Sequence, residues 1–237
     1  MATPRLKGRI ALITGASRGI GAAVAKRFAR EGAHLILLAR TTGALEELDD
    51  EIQNISGIPA TLVPFDLREF DEIDRMGATL NERFGRLDIL VGNAGILGAL
   101  SPMGHIDPKT WDQVMTVNLT ANWRLIRSMH PLLQKSDAGR AIFVTSTVGS
   151  NPRAFWATYA VSKAALEMMV RVYAEENLKS RVCANLINPG STRTRMRAEA
   201  MPGENPLTIK VPEEVTDPFV ELAEPRSQNN GVTVDCR

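Results

Sequence analysis

The sequence predicts an α/β fold: one doubly wound parallel β-sheet covered by helices on both faces, in three α/β/α layers. Three observations support this prediction. Seven short apolar runs alternate with amphipathic segments, and these runs are continuously apolar, as strands buried on both faces are. Strand–helix–strand repetition implies right-handed crossovers and therefore parallel strands. A length of 237 residues suits a single domain, and no repeat or linker divides residues 1–237.

The predicted elements follow one another in a regular order. The apolar runs predict strands at 9–13, 34–38, 60–64, 87–91, 141–145, 181–187 and 232–234. Amphipathic spacing predicts helices at 19–31, 44–55, 71–84, 109–134 and 158–178. In the first helix Ile20, Val24 and Phe28 recur at helical spacing, and Gly32 provides a C-terminal stop. The segment 192–217, rich in Met, Pro, Glu and Arg, predicts a loop with short helices. It is either a flexible surface loop or a lid over a substrate.

Composition and charge exclude several classes of protein. The formal charge of +1 gives no basis for binding nucleic acid or an anionic membrane, and no apolar run approaches the length of about 18 residues that a membrane span needs. Two cysteines are too few for a disulfide framework, which favours a cytoplasmic location. The histidines His34, His105 and His130 lack metal-ligand spacing, so we expect no metal site.

A glycine-rich turn joins the first predicted strand to the first predicted helix. Gly15, Gly19 and Gly21 follow the pattern GxxxGxG. Glycines allow a tight turn here and let backbone N–H groups approach a pyrophosphate at the positive N-terminus of the helix. The alternative is that they serve strand–helix packing alone. The position, after a strand and before a helix near the start of an α/β chain, favours dinucleotide binding.

The same turn resembles the TGxxxGIG motif of the short-chain dehydrogenase/reductase family, which Thr14, Gly15, Gly19, Ile20 and Gly21 match position for position. The resemblance covers nearly the whole chain and implies a Rossmann fold and an oxidoreductase. The segments 131–139 and 188–197 resemble the bacterial YciK-like subgroup, which lies near the 3-oxoacyl-acyl-carrier-protein reductases. This second resemblance indicates the subgroup of the family more clearly than it indicates the substrate or the reaction.

The end of the second predicted strand indicates which cofactor binds. An acidic residue there would suit the ribose hydroxyls of NAD, whereas a cation suits the 2′-phosphate of NADP. The strand ends in Ala39-Arg40, and Arg18 in the glycine turn adds a second positive charge. We therefore expect NADP(H) rather than NAD(H), unless Arg40 merely begins a solvated loop.

The resemblance implies further cofactor contacts. They are Thr14, Gly15, Ser17, Gly19, Ile20, Gly21, Asp66, Leu67, Asn93, Ala94, Gly95, Pro189, Gly190, Thr192 and Thr194, with Tyr159 and Lys163. The chain departs from the family pattern at Gly92, where an asparagine is usual, and one stabilising hydrogen bond is expected to be lost there.

Tyr159 and Lys163 are the first candidates for catalysis. Their spacing of four places both on one face of a predicted helix, where a cation favours phenolate and lowers the phenol pKa from its usual value of about 10. Alone, such a pair is most often a surface feature. The resemblance implies that Ser146, 13 residues earlier at a strand end, hydrogen-bonds the reacting oxygen. It also implies that Asn118 holds water in a proton relay with the lysine, although a polar residue among apolar neighbours could be a core asparagine.

The substrate is less well indicated than the cofactor. Phe155, Trp156, Met196 and Met201 could line an apolar pocket or could simply pack together. Four basic residues in the same region could meet an acidic group on a substrate, such as a phosphopantetheine, or solvate a loop; they are Arg153, Arg193, Arg195 and Arg197.

The leading hypothesis is an NADP(H)-dependent oxidoreductase that interconverts a carbonyl and an alcohol in a small molecule, such as a 3-oxoacyl thioester. Two alternatives remain: an NAD-dependent dehydrogenase of the same family and a non-catalytic dinucleotide sensor. The resemblance also implies a homodimer or homotetramer formed by the helices at 109–134 and 158–178. Met168, Met169 and Val172 would then contribute to an interface, although core packing would explain them equally.

Overall fold

The computed structural model describes residues 4–236 and contains a seven-stranded sheet in which neighbouring strands are parallel. The strands are β1 (Ile10–Thr14), β2 (His34–Ala39), β3 (Thr61–Pro64), β4 (Ile89–Gly92), β5 (Arg140–Val144), β6 (Cys183–Asn188) and β7 (Thr233–Asp235). Their order across the sheet is β3-β2-β1-β4-β5-β6-β7. The chain therefore winds outward from β1 to one edge and then from β4 to the other, which confirms the predicted doubly wound Rossmann fold.

Helices cover both faces of the sheet. They are α1 (Gly19–Arg30), α2 (Thr42–Ser56), α3 (Phe70–Phe84), α4 (Pro108–Met115), α5 (Ala121–Gln134), α6 (Ala157–Glu176), α7 (Arg195–Ala200) and α8 (Asp217–Ala223). On one face, α1, α2 and α8 pack in a buried cluster with side chains such as Ile13 and Leu37. On the other face, α3, α5 and α6 pack around Leu12 and Leu90. Alternate residues of each strand enter opposite clusters, which is why the strands are apolar throughout.

Three details differ from the predicted elements. The predicted helix 109–134 is divided, because a π-helical turn at Thr116–Thr120 separates α4 from α5. A π turn inserts an extra residue without ending the helix, so apolar spacing alone does not reveal it. Helix α8 was not predicted, because seven residues are too few to establish a period. The other predicted strands and helices agree with the observed bounds to within two residues at each end.

The crevice that matters for function lies between β1 and β4. The chain winds in opposite directions on the two sides of this point, so the loops that follow the two strands diverge at the carboxyl edge of the sheet. The glycine turn after β1 approaches the loop after β4 very closely. A Cβ atom added to Gly21 would lie 2.3 Å from the Gly15 carbonyl oxygen and 2.6 Å from Asn93 Nδ2. Only glycine therefore lets α1 begin this close to the turn.

The C-terminal residues support the loop that follows β6. Strand β7 pairs with β6 at the sheet edge, and Lys210 Nζ donates a hydrogen bond of 3.3 Å to the Cys236 carbonyl oxygen. A parallel β-bridge between Thr192 and Lys210 closes the base of that loop. The loop is thus anchored at both ends while its middle, which contains α7, projects over the crevice.

We predict that Gly21→Ala destabilises the fold. The added methyl group would overlap the Gly15 carbonyl oxygen, and overpacking of this kind lowers the free energy of unfolding by about 1–3 kcal/mol. Gly43→Ala is the matched control, because Gly43 also lies in a helix but has open space around its Cβ position. There alanine should raise the free energy of unfolding by about 0.5–1 kcal/mol. Urea denaturation measures both changes, and equal effects of the two substitutions would contradict the prediction.

Candidate active site

A cleft of about 710 Å³ opens at the carboxyl edge of the sheet, above β1, β4 and β5. Its volume lies within the range typical of small-molecule sites. Most of the residues predicted from the sequence line it: Gly15, Ser17, Arg18, Gly19, Ile20, Arg40, Asp66, Leu67, Asn93, Ala94, Gly95, Ser146, Tyr159, Lys163, Pro189, Gly190, Thr192 and Thr194. Thr14, Gly21 and Asn118 lie behind this lining and act on it through hydrogen bonds or close packing.

The glycine turn and the loop after β4 form one hydrogen-bonded junction. The Thr14 hydroxyl accepts hydrogen bonds from the backbone N–H groups of Asn93 (3.0 Å) and Ala94 (3.1 Å). In return Asn93 Nδ2 donates to the carbonyl oxygens of Thr14 (3.0 Å) and Gly15 (3.2 Å). Gly15 has a φ of 63°, and its added Cβ would lie 2.9 Å from Ala94 Cα. The wall of the cleft at this junction is therefore bare backbone, which is the surface that a pyrophosphate requires.

Gly92, the departure from the family pattern, lies at the end of β4. A Cβ atom there would lie 2.3 Å from Phe143 Cδ1 and 2.7 Å from Asn122 Oδ1. The aromatic ring of Phe143 thus occupies the space that a side chain at position 92 would need. Packing against Phe143 therefore accounts for glycine instead of asparagine at position 92. The neighbouring Asn93 keeps its hydrogen bonds to the glycine turn.

Positive charge collects where the adenosine half of a dinucleotide would lie. Arg18 is the residue immediately before α1, and Arg40 follows β2 with 61% of its side chain exposed. Arg40 lies 3.7 Å from the Asp66 carboxylate, and Arg68 pairs with the same carboxylate at 2.8 Å. The Arg68 hydrogen bond holds the pKa of Asp66 below its usual value, with Arg40 adding to the effect. Sequence reasoning missed Arg68, whose signal is a basic residue two positions after the aspartate.

Ser146, Tyr159 and Lys163 meet on the opposite wall of the cleft. Ser146 lies two residues after the end of β5, while Tyr159 and Lys163 lie one turn apart in α6. The lysine is only 3% exposed, and its Nζ donates a hydrogen bond of 2.7 Å to the Val144 carbonyl oxygen. The same atom lies 5.6 Å from the centre of the Tyr159 ring. The spacing of four therefore brings phenol and ammonium together, as the sequence predicts.

The pKa of Tyr159 is not lowered, and on this point the expectation from the sequence is wrong. Burial raises the pKa of the phenol to about 12, and a hydrogen bond with Ser146 only partly opposes the shift. Burial also lowers the pKa of Lys163 to about 8. The reason is common to both: an apolar environment disfavours phenolate and ammonium alike. At neutral pH the phenol thus holds its proton and can donate it.

Asn118 lies in the π-helical turn and is fully buried. Its Nδ2 donates to the Ile96 carbonyl oxygen (2.9 Å) and to Ser162 Oγ (3.0 Å), and its Oδ1 accepts from the Ile96 N–H group (2.8 Å). The side chain thereby ties the loop after β4 to α6. Sequence reasoning missed Ser162, which occupies the position immediately before Lys163.

The hydroxyls of the two threonines beside Ser146 are hydrogen-bonded to other side chains. Thr145 Oγ1 donates a hydrogen bond of 2.7 Å to the buried Glu167 carboxylate, and Thr147 Oγ1 accepts one of 3.0 Å from Asn188. Both are occupied elsewhere, which leaves Ser146 as the hydroxyl beside Tyr159. Glu167 was missed as well, although its position four residues after Lys163 places it on the same helix face.

An apolar cluster adjoins Tyr159 on the substrate side. Trp156 packs edge-on against Tyr159, with ring centres 6.1 Å apart. Leu97 and Ala200 complete the buried part, and Met196 and Met201 pack against it. Phe155, by contrast, is 58% exposed and has a φ of 72°. Three of the four apolar candidates from the sequence therefore belong to one cluster, and Phe155 does not.

The basic residues of this region are largely engaged within the protein. Arg197 forms a two-pronged pair with Glu204, with N···O distances of 2.6 and 2.5 Å, and Arg195 pairs with Glu199 at 2.8 Å. The Arg153 guanidinium lies 5.0 Å above the Trp156 ring. These contacts order the segment between 192 and 217, where α7 and two 3₁₀ turns lie.

The sequence profile of the short chain dehydrogenase family matches residues 9–205. This chain belongs to that family. Family members bind nicotinamide dinucleotides, so the glycine-lined wall described above is the expected cofactor side. The protein is accordingly an oxidoreductase, as the sequence motifs indicate.

Several similar members of the family come from bacteria. The oxidoreductase YciK of Escherichia coli strain K12 is 38% identical over 235 residues, which cover 98% of this chain and 93% of YciK. A short chain dehydrogenase of Escherichia coli CFT073, crystallised with NADPH, is 38% identical with a TM-score of 0.95 and 100% coverage of both chains. One from Shigella flexneri 2a strain 301, crystallised with NADP, is 37% identical with a TM-score of 0.96 and 99% coverage of each. The predicted YciK-like subgroup is confirmed.

Two features, a metal-binding cluster and a membrane-spanning helix, are absent from residues 4–236, the part of the chain that the structure describes. No group of three or more His, Cys, Asp or Glu side chains in that range is arranged to hold a metal ion. Within the same range, no helix is both long enough and apolar enough to cross a membrane.

Proposed function

We propose that this protein is an NADP(H)-dependent oxidoreductase that interconverts a carbonyl and an alcohol, with Tyr159 transferring the proton. The observation that carries the proposal is the convergence of the Tyr159 phenol, the Ser146 hydroxyl and the Lys163 ammonium on a wall of the cleft. The backbone of the glycine turn lies across the same cleft. A hydride donor held by the turn and a carbonyl held by Ser146 would therefore be close enough to react.

The residues present fit a phosphorylated dinucleotide. Gly15 leaves room for nothing larger than hydrogen at the junction with Ala94, so a pyrophosphate can approach backbone N–H groups directly. Arg18 and Arg40 supply cations where a 2′-phosphate would lie, and Ala39 places no carboxylate at the end of β2. The NADP and NADPH complexes of the two crystallised relatives support the same cofactor.

The chain's own residues account for the proton chemistry. When bound, the nicotinamide of NADPH supplies a hydride to the carbonyl carbon. Tyr159 holds its proton at neutral pH and donates it to the oxygen as negative charge develops. Ser146 hydrogen-bonds the same oxygen. Lys163 places a positive charge beside the phenol and stabilises the tyrosinate that remains. Burial keeps the phenol protonated at neutral pH, and the protonated phenol is the form that donates a proton when a carbonyl is reduced.

The substrate is proposed to be a small molecule with an apolar body. Its carbonyl would lie against Tyr159, and its body would contact Trp156, Leu97, Met196 and Met201. Methionine side chains adapt to different shapes, so this surface suits a range of carbonyl compounds that includes 3-oxoacyl thioesters. The anchored segment between 192 and 217 would cover the substrate from above.

Self-association is proposed through α6. Val161, Met168 and Val172 are exposed apolar residues of this helix, and Met168 is 60% exposed. Their spacings of seven and four place them along one stripe, and Trp123 of α5 is a further exposed apolar side chain. Apolar stripes of this kind are typical of interfaces between subunits. Met169 packs against the core and does not belong to the stripe.

We predict that Tyr159→Phe lowers kcat for NADPH-dependent carbonyl reduction by about 10²–10⁴-fold, the usual effect of removing a general acid. Binding of NADPH should change little. Tyr173→Phe is the matched control, because Tyr173 lies in the same helix but bonds His130 outside the cleft. NADPH oxidation is followed with 3-oxoacyl thioesters, quinones, steroids and small aldehydes. Full activity of Tyr159→Phe, or no turnover of any substrate by the wild type, would contradict the proposal.

We predict that Arg40→Ala weakens NADPH binding about 10- to 100-fold, as expected for the loss of a charged hydrogen bond. NADH binding should be nearly unchanged, because NADH lacks the 2′-phosphate. Arg75→Ala controls for the loss of one exposed arginine, since Arg75 pairs with Glu72 on α3. Fluorescence titration measures both dissociation constants. A parallel change in the two would show that Arg40 does not select the cofactor.

We predict that Met168→Glu shifts the protein towards monomer, because a charge in an apolar interface is unfavourable. Ile58→Glu should leave the assembly unchanged, since Ile58 is a similarly exposed apolar residue located after α2. Sedimentation velocity distinguishes the species. A wild-type protein that sediments as a monomer at all concentrations would refute association through this stripe.

A further inference from the structure

Glu167 is a buried acid that the proposed mechanism leaves without a role. It follows Tyr159 and Lys163 at the same spacing of four in α6, so the three side chains share one helix face. Glu167 is 5% exposed and Lys163 is 3% exposed. Placing a carboxylate in such an environment is unfavourable unless it is paired. Its retention beside a buried lysine therefore calls for an explanation in terms of charge.

Both oxygens of this carboxylate have partners. Oε1 accepts a hydrogen bond of 2.7 Å from Thr145 Oγ1, and Oε2 accepts one of 3.2 Å from the Arg171 guanidinium. The two hydrogen bonds fix the position of the carboxylate between β5 and the next turn of α6. Thr145 immediately precedes Ser146, so the first of these bonds also holds the end of β5.

Gly149 lies between the Glu167 carboxylate and the base of the Lys163 side chain. A Cβ atom added there would lie 2.7 Å from Glu167 Oε1 and 3.2 Å from Lys163 Cβ. The carboxylate and the stem of the lysine therefore border the same glycine. Any larger residue at 149 would displace one of them, so the absence of a side chain at this position permits the arrangement.

Few groups surround the lysine. Tyr159 and Glu167 face it from α6, the Val144 carbonyl accepts its hydrogen bond from β5, and Asn118 Oδ1 lies near Nζ across Gly95. The 3₁₀ turn at Thr147–Gly149 brings no charged side chain. Among these groups Glu167 carries the one negative charge. Burial lowers the pKa of Lys163 to about 8, and the Glu167 carboxylate opposes that shift.

We propose that Glu167 is a positioning residue that keeps Lys163 positively charged at neutral pH and, through Thr145, holds the strand end that carries Ser146. The proposal concerns Lys163 itself, while its consequence for turnover rests on the proposed function. The direction in which Glu167 shifts the pKa of Lys163 is opposite to the effect of burial. The charge of Lys163 is lost as the pH rises through its pKa, and removing the nearby negative charge makes that loss occur at lower pH.

The test measures the charge of Lys163 directly. The chain has seven lysines, so ¹³C labelling at Cε gives few NMR signals, and Lys163→Arg identifies the one from Lys163. We expect Glu167→Gln to lower the midpoint of the Lys163 titration by about one pH unit. Glu167→Asp should restore much of the wild-type value. Arg171→Gln is the control of opposite sign: without the guanidinium the carboxylate acts more strongly on Lys163, and the midpoint should rise. Circular dichroism checks that each variant is folded.

The pH dependence of kcat/KM supplies the second measurement. For NADPH-dependent reduction, the basic limb should move to lower pH in Glu167→Gln and return in Glu167→Asp, in step with the NMR midpoints. A Lys163 titration that is identical in the wild type and Glu167→Gln, or one that Arg171→Gln shifts downward, overturns the role of Glu167. If the NMR midpoints shift as expected but no variant, including the wild type, reduces any carbonyl, the role in setting charge stands and the proposed function fails.

Discussion

The close contact between the glycine turn and the loop after β4 is the constraint on which the site depends. An added Cβ at Gly15 would lie 2.9 Å from Ala94 Cα, so the two backbones touch with no side chain between them. The Asn93 amide and the Thr14 hydroxyl then convert this contact into a network of hydrogen bonds. The contact lies between β1 and β4, where the winding of the sheet reverses. It therefore fixes the position of the glycine turn relative to the loop after β4, which Asn118 binds, and to the end of β5, which Ser146 follows.

Burial gives Tyr159 and Lys163 their properties. The same apolar surroundings raise the pKa of the phenol to about 12 and lower the pKa of the ammonium to about 8, so two values that nearly coincide in water move apart. The phenol therefore keeps its proton at neutral pH, while the lysine loses its charge at a lower pH than it would in water. Such surroundings also strengthen the effect of any nearby charge, which is why a single carboxylate on the same helix matters.

The two sides of the cleft are built differently. The proposed cofactor side consists of backbone and of residues close together in sequence, such as Gly15, Arg18 and Gly19. The proposed substrate side consists of side chains from distant segments, such as Leu97, Trp156 and Ala200, which meet only in the folded chain. A motif can therefore reveal the first side. The second depends on packing, and pairs such as Arg197–Glu204 are not evident from the sequence.

The sequence by itself determined the order of strands and helices, the glycine turn and the spacing of Tyr159 and Lys163, because local periodicity and short motifs express these features directly. The tertiary structure decided what periodicity does not register: the π turn that carries Asn118, the room that Phe143 takes beside Gly92, and the burial that raises the phenol pKa instead of lowering it. The physical reason is that a pKa depends on the surroundings of a group in three dimensions, whereas spacing along the chain specifies only its neighbours on the helix.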